Sequence, residues 1–227
     1  NQNKRNKIKV INFGSPYFDS FQKWKKKRND KKFTILYPSG PLMDFKSDLQ
    51  EISPEKNLNH RNKVLEFIEK ILTKYDSVNL LYKPFPQTFL NDPIKIRFKK
   101  FIDNGKVKII KDNKLKEYYL NADIVLWDTI STGFGECVAS EVPVLVFNSE
   151  FEYEQLSERG KYVNDQLIDS GIQFLNLNQG LNLFNQIYHD KCDNEKQMKS
   201  LQNVLIDKIN PVSEEKWKIN FRKYFKL

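Results

Sequence analysis

Short strand-like runs alternate with longer helical patterns along this chain, and the alternation limits the folds that it can adopt. Five runs are short, rich in β-branched or aromatic residues and followed by turn residues: 33–37, 78–82, 107–110, 124–127 and 142–147. Two further candidate strands lie at 8–12 and 172–175. Because strand and helix alternate at least five times, right-handed crossovers predict an α/β fold: a doubly wound, mainly parallel, Rossmann-like sheet with helices on both faces.

Helical patterns fill the segments between these strands. The clearest one places Val64, Ile68, Ile71 and Tyr75 on one face at a period of 3.6 residues. The other helical patterns cover residues 93–101, 114–120, 134–140, 152–160, 180–188 and 195–209. Ligands of doubly wound sheets bind outside the carboxyl ends of the strands. The loops that follow the strands are therefore the places to search for a site.

The chain of 227 residues is long enough for one large domain, and it shows no internal repeat. Residues 1–32 are interpreted as a basic linker or as the tail of an amino-terminal domain, because a basic run covers 22–32. Residues 33–210 are predicted to form the Rossmann-like domain. Residues 211–227 are predicted to form an amphipathic docking helix. The chain begins with Asn, so we expect it to be either a fragment of a longer protein or a processed product.

Charge and cysteine content narrow the class of protein. Lys and Arg exceed Asp and Glu to give a net charge of +9, which favours anionic partners such as phosphates or a lipid surface. Two cysteines, Cys137 and Cys192, cannot form a disulfide framework, which fits a reducing compartment. The longest apolar run, 142–147, is far shorter than the roughly 18 residues that a membrane span needs. A cytoplasmic protein is predicted.

The loop after the fourth of the five strands is the most informative segment. It contains Asp128, Ser131, Thr132 and Gly133, and a helical pattern begins directly afterwards. Two hydroxyls, a glycine and the unpaired amides of a helix N-terminus favour binding of a phosphate. The alternative is that Ser131 or Thr132 only caps the helix, and the loop chemistry alone favours neither interpretation.

The segment that follows resembles a known family. Residues 136–144, read with Asp128, are similar to the Glu-Ala-x-Ala-Ser-Gly-x-Pro-Val segment and the Glu-x7-Glu pattern of the carboxyl-terminal domain of GT-B glycosyltransferases. The stretch 122–132 is similar to bacterial surface-polymer transferases, among them teichoic-acid glycerophosphotransferases and the Kdo and polysialic-acid capsule enzymes. The resemblance implies a nucleotide-activated sugar as substrate, without a further cofactor. It also implies that Ser131 and Thr132 contact the donor phosphate, while Glu136 or Asp128 faces the ribose or shapes the loop.

Two weaker motifs add residues to the implied donor pocket. Where the family has Lys-Pro-His-Pro, this chain has Lys83-Pro84-Phe85-Pro86. Phe85 can stack on a base but cannot donate a hydrogen bond to phosphate, whereas Lys83 can supply charge. The alternative is that the two prolines only stiffen a turn. Residues 33–40 resemble the opening strand and loop of the same domain, which places Ser39 and Gly40 at the cleft.

Other patterns in the sequence give little support for a dinucleotide, metal or hydrolase site. The Gly133-x-Gly135 pair lacks the third glycine of a dinucleotide fingerprint, because Val138 stands there. No Asp-x-Asp metal motif is found, so we expect no metal. His60 and His189 have no Ser or Cys partner at a spacing typical of hydrolases. Cys137 is predicted to be an inert core thiol.

The sequence thus predicts the donor half of a metal-independent glycosyltransferase acting on a bacterial cell-surface glycan. We expect a glycan or lipid-linked acceptor and an amino-terminal GT-B domain as partners, and we do not expect nucleic acid. The basic run and the terminal helix also fit an anionic membrane surface, although ordinary solvated charge is an alternative. A non-catalytic nucleotide-binding or assembly module and a sugar-nucleotide epimerase remain alternative functions.

Overall fold

The computed structural model describes most of the predicted domain. The described residues are 15–19, 32–41, 54–85, 93–112, 114–154, 156–189 and 213–225. The predicted strand at 8–12, the predicted helix at 195–209, most of the basic run and the site candidate Pro86 lie outside these residues.

Six strands form one parallel sheet in the order β3-β2-β1-β4-β5-β6. The strands are β1 (Phe33–Pro38), β2 (Val78–Lys83), β3 (Val107–Ile109), β4 (Ile124–Trp127), β5 (Val144–Phe147) and β6 (Gln173–Phe174). The predicted doubly wound, Rossmann-like fold is therefore confirmed. Short strands of Val, Ile, Leu and aromatic residues suit a sheet that is buried on both faces.

The helices connect and cover the strands. They are α1 (Pro16–Asp19), α2 (Pro54–Lys74), α3 (Ile94–Arg97), α4 (Lys99–Asp103), α5 (Leu115–Tyr119), α6 (Thr132–Ser140), α7 (Glu150–Glu154), α8 (Glu158–Asp169), α9 (Leu177–Tyr188) and α10 (Glu214–Phe225). Among these helices, none combines the length and apolarity that a crossing of the bilayer requires.

Two predicted helices have different boundaries in the structure. The single helix predicted at 152–160 is wrong, because α7 ends before Ser157 and α8 starts after it. Ser157 has an extended backbone and its side chain accepts a hydrogen bond from the Gly160 amide, which starts a new helix there. The pattern at 93–101 forms two short helices, α3 and α4, which meet at Phe98.

The sheet separates two apolar layers. On one face, α2 and α9 pack with side chains such as Ile35, Leu80 and Phe147. On the other face, α5, α6 and α8 pack with Leu36, Val125 and others. Burial of large apolar side chains on both faces provides most of the free energy that stabilises such a sheet.

The strand order reverses between β1 and β4. From β1 the chain builds outward to β2 and β3, and it then crosses over to pair β4 with β1 on the other side, with Ile35 opposite Ile124. Side chains that follow β1 and β4 are therefore brought to one switch point at the carboxyl edge. Ser39 and Gly40 follow β1, and Asp128 to Ser131 follow β4.

Candidate functional site

The loop between β4 and α6 presents polar groups to solvent at the switch point. Thr129, Ile130, Ser131 and Thr132 are all exposed. Ser131 is the N-cap residue of α6 and has an extended backbone, but its side chain makes no capping hydrogen bond. The first α6 amide bonded to a loop carbonyl is that of Gly135, at 3.3 Å from the Ser131 oxygen. The hydroxyls and the preceding amides thus form an edge that is chemically suited to an anion.

Gly133 has a packing role beneath this edge. A Cβ atom at this position would lie 2.4 Å from Cη2 of Trp127 and 2.9 Å from the Tyr119 hydroxyl oxygen. Both aromatic side chains are buried. Glycine therefore lets the start of α6 lie directly on these rings, which is a reason for glycine that the sequence analysis did not identify.

Asp128 is the centre of a buried polar group at the switch point. Its carboxylate accepts hydrogen bonds from the Tyr37 hydroxyl at 2.6 Å and from the Gly40 amide at 2.9 Å. The Arg61 guanidinium lies 3.3 Å from the same carboxylate, and both side chains are almost fully buried. Burial, with Asp128 as a weaker contributor, raises the pKa of Tyr37 well above its ordinary value, although the charge of Arg61 opposes this shift. Because its carboxylate is enclosed by protein groups, Asp128 shapes the loops.

Ser39 joins the ends of β1 and β2. Its amide donates to the Lys83 carbonyl at 3.0 Å. Its hydroxyl oxygen accepts hydrogen bonds from the Tyr82 hydroxyl at 3.1 Å and from the Phe85 amide at 3.2 Å. Phe85 and Lys83 are half-buried. The structure therefore brings Ser39, Gly40, Lys83, Phe85 and Asp128 together at one edge.

The positive charge of Lys83 acts on the neighbouring loop. Hydrogen bonds from the Lys114 amide and the Tyr118 hydroxyl lower the pKa of Asp112, and the positive charge of Lys83 adds to this shift. Lys83 is thus a cation near the carboxyl end of β2, one strand away from the switch point.

Glu136 is placed apart from the Asp128 group. It lies on α6 and is only 9% exposed, and it accepts a hydrogen bond from the Tyr17 hydroxyl on α1. This hydrogen bond, together with burial and the carboxylate charge, raises the pKa of Tyr17 to about 12. The Lys116 ammonium lies 4.9 Å from the centroid of the Tyr17 ring. The Glu136 carboxylate thus joins α6 to α1.

Arg61 was missed by the sequence analysis. Only 2% of this residue is exposed, and its guanidinium donates to the Gly40 carbonyl at 2.6 Å and to the Tyr82 hydroxyl at 3.1 Å. A signal was available, because Arg61 continues the apolar stripe of Val64 and Ile68 by one helical turn. A basic residue in register with an apolar stripe requires a buried partner.

His60 precedes Arg61 and contacts the same loop. Its Nε2 lies 2.9 Å from the Asp128 carbonyl oxygen, and its ring stacks on Phe147 with centroids 4.9 Å apart. Since a carbonyl can only accept, Nε2 carries the proton and donates it. The sequence analysis considered His60 only as a hydrolase residue and did not connect it with the site.

Several solved structures share the fold of this domain. The UDP-GlcNAc 2-epimerase of Neisseria meningitidis, bound to UDP-GlcNAc, matches with a TM-score of 0.54 and 16% identity over 88% of this chain and 46% of that chain. The MnaA protein of S. aureus, solved with UDP, matches with a TM-score of 0.52 and 14% identity over 87% of this chain and 47% of that chain. The chain thus spans about half the length of these two proteins.

A separate carboxyl-terminal domain provides a match over nearly its whole length. This is the domain of LpcC from Francisella tularensis, a glycosyl transferase group 1 family protein, with a TM-score of 0.51 and 13% identity over 84% of this chain and 96% of that chain. The chain therefore has the fold of one half of GT-B glycosyltransferases and related epimerases. A model of the LIC12162 family of transferases matches residues 2–193, and the chain belongs to this family. No match is found among curated proteins.

Proposed function

We propose that this chain is the donor-nucleotide half of a glycosyltransferase that acts in bacterial cell-surface polysaccharide synthesis. The observation that carries the proposal is the pair of exposed residues, Ser131 and Thr132, at the start of α6 beside the switch point. Membership of a transferase family supports the reaction class. Two proteins of similar fold were solved with UDP or UDP-GlcNAc, which supports a nucleotide sugar as the donor.

The proposed reaction is a displacement at the anomeric carbon of the donor. The bond from this carbon to the donor phosphate oxygen breaks, and a bond to the acceptor oxygen forms. The electron pair of the broken bond stays on the phosphate. The Ser131 and Thr132 hydroxyls, the first amides of α6 including that of Gly133, and the Lys83 ammonium stabilise this charge, so the proposal needs no metal. Ser39, Gly40, Phe85, Asp128 and Glu136 then shape the pocket, and we assign no base to the acceptor proton.

A second candidate is a sugar-nucleotide epimerase. It is supported by the Neisseria epimerase, which has the same fold in half of its length. The two activities differ in their need for an acceptor. An epimerase converts the nucleotide sugar when no acceptor is added, whereas a transferase requires one, and a non-catalytic module binds the nucleotide without either reaction.

Nucleotide titration of matched serine variants tests the donor site. CMP, CDP, UDP and GDP are titrated against the wild-type chain and followed by thermal shift and calorimetry. At least one nucleotide is expected to bind, and Ser131→Ala/Thr132→Ala is expected to weaken it about tenfold or more because two hydrogen bonds to a charged group are lost. Ser157→Ala serves as control, because Ser157 caps α8 through its side chain and Ser131 makes no such bond.

The control and the test variant should behave in opposite ways. Ser157→Ala is expected to lower the free energy of unfolding by about 1 kcal/mol and to leave nucleotide affinity unchanged. Ser131→Ala/Thr132→Ala is expected to weaken nucleotide binding with a smaller loss of stability. Absence of binding by every nucleotide, or equal affinity in wild type and the double variant, would contradict the proposed site.

We also propose that the enzyme works at the inner face of the cytoplasmic membrane on a glycan or lipid-linked acceptor, together with an amino-terminal GT-B domain. Helix α10 supports the membrane contact. Along it, Trp217 stacks on Phe221 at 5.1 Å between ring centroids. Lys216, Lys218, Arg222 and Lys223 are exposed around these rings. Aromatic rings flanked by basic side chains are typical of helices that bind anionic lipid surfaces.

A further inference from the structure

Two consecutive side chains of α2 reach the carboxyl edge of the sheet. His60 and Arg61 lie in the second turn of a 21-residue helix. The next turns of α2 are anchored in the core, since Val64, Leu65 and Ile68 are fully buried. The base from which the two side chains extend is therefore rigid.

Arg61 binds main-chain and side-chain atoms on both sides of the switch point. Its Nη2 donates to the Gly40 carbonyl, in the loop after β1, at 2.6 Å. The same nitrogen lies 3.3 Å from the Asp128 carboxylate, in the loop after β4. That carboxylate also accepts the Gly40 amide, so the two loops are joined through one guanidinium. A planar guanidinium with several fixed donors is suited to this geometry.

His60 binds the second of these loops through the main chain. The Nε2 hydrogen is directed at the Asp128 carbonyl, three residues before Ser131. The ring lies on Phe147 at the end of β5, with an angle of 18° between the ring planes. The carbonyl is thus fixed between β4 and β5, at the entrance of the loop that carries the exposed hydroxyls.

We propose that His60 and Arg61 are positioning residues, which hold the loop 128–131 in the conformation that presents Ser131 and Thr132 to the donor phosphate. The phosphate part rests on the proposed function. The positioning part concerns the loop alone, so it has its own measurement.

The test separates the hydrogen bond of His60 from its ring packing. His60→Phe keeps a ring against Phe147 but has no N–H for the Asp128 carbonyl. His60→Gln keeps an N–H at the equivalent position but has no ring. Asn59→Ala is the control, because Asn59 is the exposed neighbour on the same helix. All variants are made in the full chain.

Hydrogen exchange of two amides reports the loop without any ligand. The Gly40 amide bonds to the Asp128 carboxylate at 2.9 Å, and the Gly135 amide bonds to the Ser131 carbonyl at 3.3 Å. His60→Phe is expected to speed exchange at both amides about fivefold, which corresponds to loss of one hydrogen bond. His60→Gln is expected to stay within about twofold of wild type, because the donor is retained. The affinity for UDP, or for the nucleotide that binds best, should fall in His60→Phe and stay close to that of wild type in His60→Gln.

Each outcome decides the proposal. Unchanged exchange in His60→Phe overturns it, and so does equal acceleration in both His60 variants, because the ring alone would then hold the loop. If the exchange pattern is as expected but the chain binds no nucleotide, the positioning role is supported and the proposed function is contradicted. If exchange in His60→Phe is unchanged but the chain binds nucleotide, only the positioning role is contradicted.

Discussion

The carboxylate of Glu136 is an example of a residue whose partner could not be found from the sequence. The motif that contains Glu136 is readable, but Tyr17 lies 119 residues earlier on a four-residue helix. The sequence around Tyr17 gives no periodic signal, and only the fold brings the two side chains together. Asp128 is a similar case, because its partners Tyr37 and Arg61 come from two other elements.

The contact between Tyr17 and Glu136 predicts a dependence on alkaline pH. The pKa of Tyr17 is raised from 10.0 to about 12, so the neutral phenol is favoured when α1 is in place. The stabilisation of this contact is therefore complete below pH 10 and is lost as the pH rises through about 12. Phenolate absorbance of wild type minus that of Tyr17→Phe should show a transition with a midpoint near the raised value.

Glu136→Gln is the control for this titration. The variant keeps the shape of the side chain but removes the charge that disfavours the phenolate. The Tyr17 transition should then move down toward the ordinary value of a tyrosine. A midpoint that is the same in wild type and Glu136→Gln would show that the charge of Glu136 does not determine the titration of Tyr17.

Elements with clear patterns were predicted well, whereas the break between α7 and α8 was not. The five strands and the amphipathic part of α2 follow from periodicity and from β-branched composition. The break at Ser157 was missed because the acidic residues around it continue a helical pattern, and a single capping serine interrupts it. A cap is a local hydrogen bond that leaves little trace in hydrophobic periodicity.

Helix α10 is the element for which the membrane proposal makes a prediction. Arg222→Glu/Lys223→Glu removes two positive charges and adds two negative ones beside the exposed Tyr224 and Phe225. Co-sedimentation with vesicles that contain an anionic lipid should fall about tenfold or more, because each basic residue near such a surface contributes roughly 1 kcal/mol.

The control for α10 makes the same charge change at another surface. Lys108 and Lys111 are exposed at and beside the edge strand β3. Lys108→Glu/Lys111→Glu should retain more vesicle binding than the α10 variant, and neither should bind neutral vesicles. Equal losses in both variants would mean that net charge alone drives the binding and that α10 has no special part in it.

At the scale of the whole molecule, the sequence could locate the loop that carries the candidate site, but not the internal structure of the switch point. The alternation of strands and helices predicts that a site lies in the loops after the strands, and Ser131 and Thr132 follow from their position in such a loop. The pairing of β1 with β4 is seen only in the structure. The buried group of Arg61, Asp128 and Tyr37 depends on contacts between segments that are distant in the chain. Periodicity indicates that Arg61 is buried, but periodicity and turn chemistry do not identify its partners.

The Arg61–Asp128 pair joins α2 to the loops on both sides of the switch point, so its loss should affect the folding of the entire domain. Arg61→Ala leaves the Asp128 carboxylate buried without its cation, which is expected to lower the free energy of unfolding by about 3–5 kcal/mol. Lys70→Ala on the same helix removes an exposed pair with Glu66 and should cost less than about 1 kcal/mol. Urea unfolding followed by far-UV circular dichroism measures both. A loss in Arg61→Ala as small as that in Lys70→Ala would show that Asp128 is stabilised by its hydrogen bonds alone, and the role of Arg61 in joining the two loops would then be wrong.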